Sequence, residues 1–83
     1  MVTEQEMRKF DSFMEIIKKF NDCNVRGFLE TVGECHLNWF KIGLNAFKDS
    51  DYKLSNKAME SAHYYEVLIA CLHRELNKRE GRV

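Results

Sequence analysis

Glu60-Ser61-Ala62-His63 puts a carboxylate and an imidazole three residues apart. On a helix, i and i+3 project to one side, and paired copies of this spacing hold di-iron centres in helical bundles. Cys35-His36 and the Cys71/His73 pair add thiol and imidazole donors. Zinc, however, takes four converging ligands, usually from C-x-x-C or H-x3-H spacings, and neither spacing occurs here. A Cys–His nucleophile needs the thiol within reach of the ring, yet Cys35 and His36, as helical neighbours, point about 100° apart. No G-x-G-x-x-G or P-loop is present. These residues therefore predict no enzyme, no metal and no cofactor. The bland readings are a solvated Glu60/His63 pair, cysteines packed as small hydrophobes, and His36 bonded within a core or interface. A pH-switch role for His36 is the sharper alternative.

The other chemistry-bearing groups are cations. Lys18 and Lys19 form one cluster, and His73, Arg74, Lys78, Arg79 and Arg82 another, interleaved with Glu75 and Glu80. A nucleic-acid-binding regulator would use Lys18, Lys19, Arg74, Lys78 and Arg79 against phosphates. Such proteins usually carry a basic surplus. This chain has 13 basic and 13 acidic side chains and a formal net charge of zero. Cations in the last turns of a helix are explained without a ligand, because the helix dipole favours them there.

Positioning these groups falls to helices. Proline is absent and glycine occurs only at 27, 33, 43 and 81 over 83 residues, so breakers are few. Thr3 and Glu6 have the spacing of a capping box, and Met7, Phe10, Met14 and Ile17 recur with helical period behind them. This predicts a first helix over about 3–22. A second runs over about 25–48 and carries two apolar seams. One reads Phe28, Val32, Cys35, Trp39, Ile42, Ala46. The other reads Leu29, Gly33, His36 or Leu37, Phe40, Leu44, Phe47. Only the stripe Glu30, Glu34, Asn38, Lys41, Asn45, Lys48 is polar. Lys48-Asp49-Ser50-Asp51 reads as a turn. A third helix over about 55–80 follows. Its start is set by Ser55 with a Leu54/Met59 staple, and its seam is Ala58, Ala62, Tyr65, Ile69, Leu72, Leu76.

The fold expected is all-α: one domain over 1–83, a small three-helix up-down-up bundle. In a lone three-helix unit each helix needs one apolar stripe, and the second helix has more. Its surplus is expected to meet a second copy in a homodimer, or another protein, with Phe28, Val32, Trp39, Phe40, Ile42 and Tyr64 at the contact. The expected role is that of a small non-catalytic adaptor, inhibitor or regulatory subunit. The alternatives are the nucleic-acid-binding regulator and a metal-binding bundle. The polar, acidic opening Met1–Glu6, an apolar run no longer than Val67–Leu72 and an odd count of three cysteines point to a reducing cytoplasm and away from a membrane.

Overall fold

The computed structural model describes residues 1–81. Arg82, counted above with the basic cluster, lies outside the described residues. Among the described residues the structure is all helix and turn: α1 (Glu4–Arg8), α2 (Asp11–Ile17), α3 (Asp22–Lys48) and α4 (Tyr52–Arg79). The shape is elongated, 45 × 25 × 21 Å.

The long axis belongs to α3 and α4. Their 27 and 28 residues, at 1.5 Å per residue, make rods of about 40 Å that lie side by side as a helical hairpin. Local chemistry sets each end. Asn21 caps α3 by accepting from Asn24 N–H at 2.8 Å. Asp51 caps α4 by accepting from Leu54 N–H at 3.2 Å. Between them α3 closes with a Schellman pattern: Asp51 N–H donates to Ala46 O and Ser50 N–H to Phe47 O, with Ser50 at φ 61°.

The first helix differs from the expected 3–22 rod. The Thr3/Glu6 capping box forms with both of its bonds. The helix then breaks at Lys9–Phe10, where Phe10 (φ −100°, ψ 8°) starts α2 without a side-chain cap. No glycine or proline causes this break. Phe10 turns in to set its ring edge-on to Tyr64, 5.0 Å between centroids, while Met7 and Ile17 are also buried. The second helix starts at Asp22 instead of 25. The third starts at Tyr52 instead of 55, because Ser55 is wanted inside: it is buried and donates its hydroxyl to Gly43 O at 2.9 Å.

The two halves of the hairpin are packed differently. In the inner half, beside α1 and α2, Val25, Val32, Val67, Leu68, Leu72 and Leu76 join Met7, Phe10 and Ile17 in one core. In the outer half the buried residues are Gly43 and Ala46 on α3 and Ser55, Ala58 and Ala62 on α4, with the half-buried Met59 side chain lying over Gly43. Small residues let the two helices approach, and with Met59 filling the space over Gly43 the large side chains of α3 in this segment lie outside.

Candidate functional site

Large apolar side chains are consequently pushed to the outside of the outer half. Leu37, Phe40, Leu44 and Phe47 on α3 are exposed, as is Tyr52 on α4; Phe47 keeps 60% of its surface and Tyr52 56%. These two rings meet edge-on at 5.5 Å, joining the helices into one face. His36 stacks on Phe40 at 6.4 Å and extends it. Positions 37, 40, 44 and 47 alternate by three and four, the spacing of a seam that receives another helix. Isolated exposed apolar residues are ordinary on a soluble surface, whereas a contiguous patch marks a contact site. Ile42 and Leu54 are exposed as well.

The expected interface set thus divides. Phe40 lies on this face. Ile42 and Tyr64 are exposed, but Tyr64 is held by Phe10 and by Tyr65 at 5.5 Å. Trp39 is half-buried beside a small hollow lined with Glu60, Ser61, Tyr64 and Tyr65. Val32 and Phe28 are corrections. Val32 is buried in the core, and Phe28 packs on Phe13 with centroids 5.6 Å apart. Val32 serves the chain's own interior, and the half-buried Phe28 lies at the other end of the hairpin beside α2, away from this face. Leu37, Leu44, Phe47 and Tyr52 were not among the expected contact residues. The second seam contained the first three; what it did not reveal was that α4 packs against the first seam.

Three of the clustered cations, Arg74, Arg79 and Lys18, are held in ion pairs within the molecule. Arg74 makes two bonds to the Glu4 carboxylate, at 2.8 and 2.6 Å. This bidentate contact lowers the Glu4 pKa and raises that of Arg74. Arg79 bridges Glu75 and Asp22, each at 2.8 Å, and also donates to the Ile17 carbonyl at 3.1 Å. It ties the end of α2 and the start of α3 to α4. Lys18 pairs with Glu15 at 3.0 Å. Lys19 and Lys78 are exposed.

His63 does not pair with Glu60. Its Nε2 meets the Glu6 carboxylate of α1, and Nδ1 lies 3.6 Å from Glu66. Glu6 therefore closes the capping box and also docks α1 on α4. The His63 bond, helped by the Thr3 amide, brings the Glu6 pKa down to about 2, and Glu6 in turn raises that of His63. Around this clasp lies an open hollow of about 1150 Å³, floored by Phe10, Phe13, Phe28 and Tyr64. Cys71 is buried with its thiol toward the Met7 carbonyl, and burial raises its pKa, which keeps it a thiol and a poor nucleophile. Among the described residues no three His, Cys, Asp or Glu side chains converge as a metal site, and no helix is long and apolar enough to cross a membrane.

Comparison of the chain with protein-family models, curated proteins and solved structures gave no match.

Proposed function

We propose that this chain is a small non-catalytic helical protein that works by protein–protein contact, as an adaptor, inhibitor or regulatory subunit, and that the outer half of the hairpin is its contact face. One observation carries the reading: the outer half holds its small residues inside and its large ones outside. Gly43, Ala46, Ser55, Ala58 and Ala62 are buried, while Leu37, Phe40, Leu44, Phe47 and Tyr52 are exposed. A chain that had only its own core to fill gains by the reverse arrangement, since each large apolar side chain taken from water contributes roughly 1.5–3 kcal/mol.

In this reading the broken first segment and the two long helices act as a three-segment up-down-up unit, completed over its open half by a second protein surface. A homodimer is the simplest such completion. The nucleic-acid reading draws less support, because Arg74 and Arg79 spend their donors on Glu4, Glu75, Asp22 and Ile17.

Site-specific photo-cross-linking in the producing cells tests the proposal. A photoreactive residue at Phe47 is expected to give a discrete protein adduct, and one at Glu30, on the polar stripe, none. Equal yields from both positions, or no adduct from Phe47, would refute it.

A further inference from the structure

We infer that the surface covering this face is a second copy of the same chain, its α3 laid antiparallel on the first with the two-fold axis beside residue 42. The inference rests on the contact reading above and adds the partner and its register. At 100° per residue, Leu37, Phe40, Leu44 and Phe47 form one stripe on α3, exposed along its length. Turned antiparallel about residue 42, Leu37 meets Phe47 of the second copy and Phe40 meets Leu44. Every layer then joins one leucine to one phenylalanine, so four layers of equal thickness form. A parallel pairing stacks phenylalanine on phenylalanine and leucine on leucine, giving layers of unequal width.

The charges beside the stripe agree with the same orientation. Glu34, Lys41 and Lys48 follow it at seven-residue intervals, all exposed on the edge away from α4. These are flanking positions of the kind that set partner orientation in paired helices. On this outer edge the facing positions are shifted one residue from the seam's centre, so Glu34 comes beside Lys48 of the second copy, twice by symmetry, and Lys41 beside its own mate, on the wet edge. A parallel register sets these three positions on opposite edges of the joint, so the Glu34–Lys48 pairs are lost. The α4 helices flank the joint, with Tyr52 bordering Phe47 on each side, so the outer halves together form a four-helix arrangement. The contact spans only the outer half of each hairpin. That places it at the small end of specific interfaces, and dissociation is expected in the micromolar range.

Sedimentation equilibrium across the micromolar range, with charge-reversed variants, tests this. All substitutions are at exposed positions, and unchanged circular dichroism confirms that each variant folds. E34K and K48E are each expected to weaken the dimer about tenfold, since each turns two attractions into two repulsions. The double variant E34K/K48E restores the opposite charges and is expected to return to within about threefold of the wild type. A dimer indifferent to the single reversals, or one that the double variant fails to rescue, would overturn the register and leave the contact reading standing. A chain that stays monomeric while its Phe47 probe still captures a different polypeptide would overturn self-pairing alone. A monomer whose Phe47 probe captures nothing would overturn both.

Discussion

The Ser55 hydroxyl donates to the Gly43 carbonyl across the α3–α4 joint at 2.9 Å, in a part of the hairpin closed to water. This contact is available because residue 43 has no side chain. A Cβ there would stand 2.9 Å from Met59 Cε and 3.2 Å from its sulfur. The space over Gly43 is already filled by the Met59 side chain, and Phe40, Leu44 and Phe47 lie outside the joint.

Ser55→Ala is expected to lower stability by about 1 kcal/mol, the net worth of one buried hydrogen bond. Gly43→Leu is expected to cost more, since the branched side chain would have to displace the whole of Met59. Urea unfolding at a fixed low protein concentration measures both.

Backbone conformation predicts opposite signs at two other positions. Gly27 lies inside α3 with open space where a Cβ would go, so Gly27→Ala should stabilise by about 1 kcal/mol. Ser50 sits in the left-handed region at φ 61°, so Ser50→Gly should stabilise by a similar amount, about 1 kcal/mol. Thermal melts of the two variants and the wild type decide this.

The clasp between α1 and α4 depends on pH from both sides. His63 has a raised pKa in the folded chain, so its contribution is full below its ordinary value of 6.5 and is lost as pH rises through the folded value. Glu6 is depressed from 4.5 to about 2, so its contribution is full above 4.5 and is lost as pH falls toward 2. Docking of α1 is therefore strongest between pH 4.5 and 6.5. Protection of the α1 amides, taken relative to intrinsic exchange at each pH, should peak within that window and fall above it, and His63→Ala should abolish the fall on the alkaline side.

Arg79 and Arg74 should differ in rank. The Arg79 side chain is 18% exposed and faces Glu75 at 10%, whereas Arg74 is 54% exposed. Arg79→Met leaves a nearly enclosed carboxylate without its cation and frees the end of α2, so it should destabilise more than Arg74→Met. Parallel denaturation curves of the two variants measure the difference.

Much of this was legible in the sequence where the cause is local. Thr3 and Glu6 announce the first cap, the Lys48–Asp51 turn falls between the long helices, and the two seams of α3 with its polar stripe can be read from period alone. What escaped was set by tertiary contact. Nothing in Arg8-Lys9-Phe10-Asp11 breaks a helix locally; the break falls where Phe10 packs on Tyr64, 54 positions away. Ser55 reads as a cap until Gly43 claims its hydroxyl, and His63 reads as a partner of Glu60 until Glu6 arrives from α1. The exposed apolar face of α3 was half legible. Its residues stood in the second seam, but which seam faces α4 is decided by the pairing of Gly43 and Ala46 with Ser55, Ala58 and Ala62.

Hydroxyl-radical footprinting of Phe47 and Tyr52, compared between the producing cells and the isolated chain at high dilution, tests most directly whether this face is covered. Strong protection of both rings in the cells, with exposed Phe20 on the opposite end reacting equally in the two settings, is the predicted result. Equal oxidation of Phe47 and Tyr52 in the cells and in dilute solution would mean that nothing covers the outer half of the hairpin, and the contact account would fail.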